Sequence, residues 1–155
     1  MQLTPHRFDD LSDIQYQIFT QTDAGTRRAT VMVLQFTGTI GDGSAGNDDG
    51  VFMRMITLAA LSVWRTHGVV FDLRELNYVW GDKIWEIFGH GIHPPGVEKL
   101  PYATVISDRC REGFATCMSI VEPVFEELEA AVANVRDRAQ RALDNMWAEI
   151  DTESG

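Results

Sequence analysis

The segment GVVFDL at residues 68–73 constrains the fold of this chain more than any other segment. Four of the five residues after Gly68 are apolar, and they do not alternate with polar residues. A short strand that is apolar on both faces is typical of a parallel sheet covered by helices on both sides. The segment therefore predicts an α/β fold with right-handed crossover connections.

Three further strands are predicted around this segment. The stretch IQYQIFTQ at 14–21 alternates apolar and polar residues, and ATVMVLQFTGTI at 29–40 reads as a more buried strand. The turn-like TDAGTRR between them predicts an antiparallel hairpin. YATVISD at 102–108 predicts the last strand. An antiparallel hairpin joined to crossover strands makes a small mixed sheet.

The helices are predicted from a change of period and from their end signals. VFMRMITLAALSVWRTHG predicts a helix capped by Asp48 or Asp49 and ended by Gly68. KIWEIFG predicts a short helix capped by Asp82. A third helix is expected to begin near Glu112.

The C-terminal part is predicted to be one long helix. Pro123 marks its first turn, and apolar residues recur at steps of three and four up to Ile150. We divide the chain into an α/β domain at 1–121 and this helix at 122–155. From Glu122 to Ile150, at about 1.5 Å per residue, the helix would be roughly 42 Å long, about the width of the whole domain. It either packs along the sheet or projects beyond it, where Trp147 would bind a partner or a second copy of the chain.

Charge limits the classes of partner. Thirteen basic and 23 acidic residues give a formal charge of −10, which would repel the phosphates of a nucleic acid and attract a basic protein. The sequence has no apolar run of about 20 residues that could span a membrane. Two cysteines spaced seven residues apart are too distant on one helix for a disulfide, which favours a cytoplasmic protein.

The stretch GVVFDLRELNYVWGDKIWEIF resembles the central segment of STAS domains, the fold of anti-sigma factor antagonists. In that pattern a strand ending in Asp-Leu leads through a turn to a helix with a phosphorylatable serine near its start. The matching residues are Asp72, Leu73, Leu76 and Tyr78. The serine position falls on residues 80–83, Trp-Gly-Asp-Lys, which carry no hydroxyl. The resemblance thus implies a STAS-like regulator without the phosphoserine switch.

A second, weaker resemblance is to the crotonase and Clp-protease architecture. It covers the chain from GVVFDL to PYATVISDRCREGFATCMS. Those enzymes need a glycine-rich helix start that forms an oxyanion hole, and the proteases need a serine nucleophile with a histidine base. Here Gly113 is followed by FATCM, and Ser119 comes more than a turn later. A small enzyme of this architecture is therefore the alternative function.

Other candidates for chemistry are isolated. His90 and His93 have a metal-ligand spacing, and Cys110 or Cys117 could add a thiolate, but no CxxC or HExxH accompanies them. We predict no metal and no cofactor. Asp72, at the end of a strand, could be a base or a ligand, but we expect it to hold the following turn by accepting hydrogen bonds from the amides of Glu75 or Leu76.

The predicted binding surface combines acidic and aromatic side chains. The loop GDGSAGNDDG at 41–50 is too polar for a core and carries carboxylates without the spacing of a calcium loop. Aromatic anchors and steering charges are what protein-binding surfaces use. The residues assigned to partner binding are Asp42, Asp48, Asp49, Tyr78, Trp80, Asp82, Trp85 and Trp147.

The sequence thus predicts a non-catalytic module that binds and controls one protein, and two versions fit. One is a STAS-like regulator. The other is an immunity or antitoxin protein whose acidic face blocks a basic effector such as a nuclease.

Overall fold

A computed structural model describes residues 3–21, 27–81, 83–88, 100–115 and 123–153. The strands are β1 (Gln15–Gln21), β2 (Val31–Thr39), β3 (Gly68–Asp72), β4 (Leu76–Asn77), β5 (Tyr102–Val105) and β6 (Val124–Phe125). The helices are α1 (Asn47–Trp64), α2 (Asp108–Phe114) and α3 (Leu128–Glu153), with short 3-10 turns at Phe8–Asp10, Gly43–Gly46 and Ile84–Ile87. Within this part of the chain, no helix is long and apolar enough to cross a membrane.

The six strands form one mixed sheet in the order β1-β2-β3-β5-β6. β1 and β2 are the predicted antiparallel hairpin, and all other pairs are parallel. β4 pairs with β2 beyond the point where β3 ends, because the chain turns after Asp72 and runs on along Gly38 and Thr39. The predicted α/β class, with a mixed sheet, crossovers and a long C-terminal helix, is confirmed.

The sheet is covered on both faces, as the continuous apolar strand β3 requires. Helices α1 and α2 pack on one face through residues such as Phe52, Met53 and Phe114. Helix α3 packs on the other face, where Ala131 and Val135 lie against the central strands. The helix is also tied down by hydrogen bonds: Arg138 Nη1 donates to the Tyr102 carbonyl at 2.9 Å and Ala29 N donates to Gln140 Oε1 at 2.9 Å.

The predicted ends of α1 are wrong. The helix starts at Asn47, so neither Asp48 nor Asp49 is its cap, and the Gly46 N-cap makes no side-chain bond. It ends at Trp64, and Arg65 takes the left-handed conformation at φ 45°. Gly68 is the first residue of β3, where a Cβ atom would come within 2.4 Å of Val135 Cγ1. Gly68 is thus needed for the close approach of α3 to the sheet.

Two predicted helix starts are also wrong, and a third predicted helix is shorter than expected. The segment after position 82 forms only a 3-10 turn, Ile84–Ile87. Helix α2 begins four residues before Glu112, because Ser107 accepts a bond from the Arg109 amide and caps it. Helix α3 begins at Leu128, since the two residues after Pro123 are β-forming and pair with β5 as strand β6. The predicted domain boundary at 121/122 remains a prediction.

Candidate functional site

The carboxyl end of β3 is stabilised by an ion pair between the buried Asp72 and the partly exposed Arg74. Asp72 is 1% exposed, and its two oxygens accept bonds from Arg74 Nε and Nη2, both at 2.9 Å. The Arg74 amide and Gln35 Nε2 also donate to it, each at 3.3 Å. The carboxylate raises the pKa of the Arg74 guanidinium through this hydrogen bond. Asp72 therefore holds the turn, as predicted, although through Arg74 and not through the amides of Glu75 or Leu76.

Helix α2 locks the same turn from the other side. Ser107 Oγ donates to the Arg74 carbonyl at 2.6 Å, and Cys110 Sγ donates to the Leu73 carbonyl at 3.4 Å. Arg109 Nη1 donates to Glu75 Oε2 at 3.0 Å, at the surface. The turn after β3 is thus rigidly placed, and it presents the residues that follow it.

A polar groove lies beside this turn, above the ends of β2 and β4. Its volume is about 640 Å³, and it is lined by Thr37, Gly38, Thr39, Glu75, Asn77 and Arg109. Its charged side chains, Glu75 and Arg109, bind each other. The groove therefore offers hydrogen-bonding groups without a net charge.

An exposed tryptophan follows the turn. Trp80 is 58% exposed and its neighbour Val79 is 56% exposed. The Gly43 amide donates to the Trp80 carbonyl at 3.2 Å, and a Cβ atom on Gly43 would lie 2.5 Å from the indole ring. Gly43 also has φ +57°, a conformation that glycine adopts most easily. The β2–α1 loop thus fixes the segment that carries Trp80.

The three loop carboxylates have different environments. Asp42, next to Gly43, and Asp48, in the first turn of α1, are exposed. Asp49 instead accepts bonds from Ser12 Oγ at 2.6 Å and from the Gly41 amide at 2.9 Å. Asp49 therefore fixes the loop, while the two others remain open to a partner. We call Asp42, Asp48, Val79 and Trp80 the Trp80 surface.

Tyr78, also assigned to partner binding, lies in the core. Its ring is 3% exposed and packs on Phe114 at 4.9 Å between centroids, and its hydroxyl donates to the Gly81 carbonyl at 2.7 Å. It is buried because Gly113 in α2 lets that helix approach: a Cβ there would lie 2.5 Å from the Tyr78 carbonyl oxygen. Asp82 and the side chain of Trp85 lie outside the described residues.

Trp147, which is predicted to contact a partner, is partly covered by Arg27. The Arg27 guanidinium lies over its ring at 4.9 Å, and Arg27 Nη2 also lies 3.9 Å from Asp151 Oδ1. Met146 and Ile150 beside it are 45% and 43% exposed. Helix α3 thus packs along the sheet for most of its length and exposes apolar residues near its end.

The structure places two of the isolated candidates for chemistry, Cys110 and Gly113. No group of three or more metal-ligating side chains occurs among them. Burial raises the pKa of the Cys110 thiol, which disfavours the reactive thiolate. Gly113 lies inside α2 and not at a glycine-rich turn, so it does not form the oxyanion hole of the crotonase-like alternative. His90, His93, Cys117 and Ser119 lie outside the described residues.

Comparison with solved structures finds the same architecture in another protein. The crystal structure of an anti-sigma factor antagonist from Mycobacterium paratuberculosis superposes with a TM-score of 0.52, over 77% of this chain and 95% of that chain. This chain has a STAS fold. The two sequences are 16% identical, a level at which the fold is shared and functional residues are not transferable. No family model and no curated protein matches the sequence.

Sequence reasoning assigned Trp80 and the loop carboxylates to a binding surface, and it missed the residues that position them. Arg74 stands two residues after Asp72, a spacing that permits the bidentate pair and could have indicated it. The Glu75–Arg109 pair spans 34 residues and requires the fold to be known.

Proposed function

We propose that this chain is a non-catalytic module that binds and regulates one protein partner through the Trp80 surface. The observation that carries the proposal is Trp80 itself, a large aromatic side chain that stays 58% exposed on a segment fixed by Gly43 and α2. A fixed, exposed tryptophan is a typical anchor of a protein interface, because it loses little conformational entropy on binding.

Charge supports a basic partner. The chain has a formal charge of −10, and Asp42, next to the Gly43 whose amide binds the Trp80 carbonyl, and Asp48 at the start of α1 are both exposed. Such rim charges attract an oppositely charged partner and accelerate its approach. We place this interaction in the cytoplasm.

The regulator version is favoured over the immunity-protein version. The STAS fold supports it, since the chain is similar in structure to an anti-sigma factor antagonist. Residues 80–83 carry no hydroxyl at the position where the STAS pattern has its phosphorylatable serine. We therefore propose that binding is not controlled by phosphorylation at that position.

A capture experiment tests this function. The tagged full chain is used to isolate partners from its source cell, with a Trp80→Ala variant as the matched bait, and both eluates are identified by mass spectrometry. A sigma-factor regulator or kinase retained by the wild type and lost by the variant supports the regulator version. A nuclease or another toxin would favour the immunity protein. A hydrolase or acyl-transfer activity of the purified chain would contradict both.

The loop carboxylates should act on the association rate. Replacing Asp42 and Asp48 together by asparagine should slow association with the isolated partner several-fold at low salt, since exposed rim charges mainly steer encounter. The effect should vanish near 1 M salt, where the Debye length is only ~3 Å. Stability should change by less than about 0.5 kcal/mol, because both side chains are exposed. Stopped-flow mixing at two salt concentrations measures this.

Asp49 is left unchanged in that variant, because its bonds to Ser12 and Gly41 hold the loop. An association rate that ignores both salt and the double substitution would contradict electrostatic steering through this loop, and would leave the apolar contact of Trp80 as the sole basis of recognition.

A further inference from the structure

The hydroxyl of a buried tyrosine closes the short segment that exposes Trp80. The chain that follows β4 has no helix or strand structure as far as Gly81. Tyr78 Oη donates to the Gly81 carbonyl at 2.7 Å, three residues further along the chain. The two residues between them, Val79 and Trp80, are the exposed apolar residues of the Trp80 surface. A single side-chain bond therefore joins the two ends of the segment that would contact a partner.

The Tyr78 ring is held in place independently of this bond. It is buried, packs on the Phe114 ring and lies against Gly113 of α2. The Tyr78 amide also donates to the Arg109 carbonyl at 3.3 Å. The position of the ring is thus set by α2, and the hydroxyl fixes the Gly81 carbonyl relative to that helix.

The exposed part of the segment has few other attachments. The Trp80 carbonyl accepts a bond from the Gly43 amide at 3.2 Å, and Val79 forms no hydrogen bond with another described residue. Gly81 has no side chain to pack, and its backbone lies against the Tyr78 ring: a Cβ atom there would be 3.6 Å from Tyr78 Cε2. Ordering a backbone residue costs conformational entropy. Without the hydroxyl bond, this segment would therefore populate further conformations.

We infer that the Tyr78 hydroxyl is a positioning group for partner binding, because it keeps Trp80 in the conformation that a partner recognises. The inference rests on the proposed binding through the Trp80 surface. Tyr78 is 3% exposed, so it acts through the segment and not by touching the partner. Loss of the hydroxyl lowers the fraction of chains in the binding-competent conformation, and the apparent dissociation constant rises in proportion.

The conformation of Trp80 can be followed without a partner, by fluorine NMR of the full chain labelled with fluorotryptophan. The Trp80 resonance is the one that disappears in Trp80→Ala. Tyr78→Phe keeps the ring and removes only the oxygen atom, so the domain should stay folded. We expect the Trp80 resonance of this variant to shift and to show faster local motion of the indole. A resonance with the position and relaxation of the wild type would overturn the inference.

Tyr102→Phe is the matched control. Tyr102 is also a partly buried tyrosine, packed near Phe71 and Phe88, but it lies where β5 begins, at the end of the sheet opposite to the Trp80 segment. Removing its hydroxyl should leave the Trp80 resonance unchanged. An equal change in both variants would mean a general loosening of the fold, and would overturn a specific role for Tyr78.

Binding kinetics with the protein isolated in the capture experiment separate a positioning role from a contact. Tyr78→Phe should slow association about fivefold, the ratio that one hydrogen bond of ordinary strength corresponds to, and leave dissociation unchanged. Trp80→Ala removes a contact and should mainly accelerate dissociation. If Trp80→Ala is impaired and Tyr78→Phe binds like the wild type, the inference is wrong and the proposed function stands. If Trp80→Ala itself binds normally, the proposed function fails, and the inference fails with it.

Discussion

Replacing Arg74 by alanine should destabilise the protein by about 2–3 kcal/mol, although Arg74 lies partly at the surface. The reason is that the buried Asp72 carboxylate would lose its positively charged partner. The Asp72 side chain is 2% exposed, and the guanidinium supplies two of its hydrogen bonds at 2.9 Å. Without the Arg74 side chain, the buried carboxylate keeps only two donors, Gln35 Nε2 and the backbone amide of residue 74, each at 3.3 Å. Equilibrium unfolding in urea should show this loss as a lower midpoint with an unchanged slope.

Two further variants separate the buried charge from the loss of a surface arginine. Arg111→Ala removes two exposed ion pairs, with Asp108 and Glu126, and should cost less than about 0.5 kcal/mol. Adding Asp72→Asn to Arg74→Ala should restore part of the stability, since an uncharged amide is less costly to bury. If Arg74→Ala is as harmless as Arg111→Ala, the ion pair does not hold the turn after β3.

Gly113→Ala should cost about 2 kcal/mol, although alanine favours helices over glycine by almost 1 kcal/mol. The added methyl group would lie 2.5 Å from the Tyr78 carbonyl oxygen and 2.5 Å from Tyr78 Cδ1. The carbonyl belongs to the backbone, so α2 must move away from the segment before Trp80. Glu112→Ala, at the exposed neighbouring position, is the control and should change stability by less than about 0.5 kcal/mol.

The same variant also reports on the site. Because α2 and Gly43 together position the Trp80 segment, a shift of α2 should weaken partner binding even though Gly113 is buried. Unfolding midpoints of Gly113→Ala and Glu112→Ala measured side by side decide the stability effect. Equal midpoints would show that the approach of α2 to Tyr78 is looser than the structure indicates.

The strands that carry a long apolar pattern could be predicted from the sequence, and the short ones could not. β3 is mostly a continuous apolar run and β2 begins with one, so their place in a covered sheet follows from the local sequence pattern. β4 and β6 have two residues each, and only their partners, Gly38–Thr39 and Thr104–Val105, make them strands. Pairing over that distance in sequence is a tertiary effect that a local pattern does not contain.

At the site, exposure was predicted from residue type, and the prediction was wrong for residues that other parts of the fold cover. Trp80 and Tyr78 stand two residues apart in the same aromatic segment, yet one is 58% exposed and the other 3%. The difference is made by Gly113, which admits α2 over Tyr78, and by Gly43, which lies beneath Trp80. Asp48 and Asp49 are likewise neighbours, and only the second is bound by Ser12. Residues of similar chemistry that are close in sequence therefore differ in whether they are exposed or held inside the protein.

The most direct test of the proposed function is the affinity of the captured partner for Trp80→Ala, measured by isothermal titration calorimetry against the wild type and Val63→Ala. Val63 is an exposed apolar residue in the last turn of α1, at the other end of this helix from Asp48, and it serves as the control. We expect Trp80→Ala to weaken binding about 30-fold or more, as the loss of an interface anchor does, and Val63→Ala to leave it unchanged. Equal affinities for the wild type and Trp80→Ala would contradict recognition through the Trp80 surface.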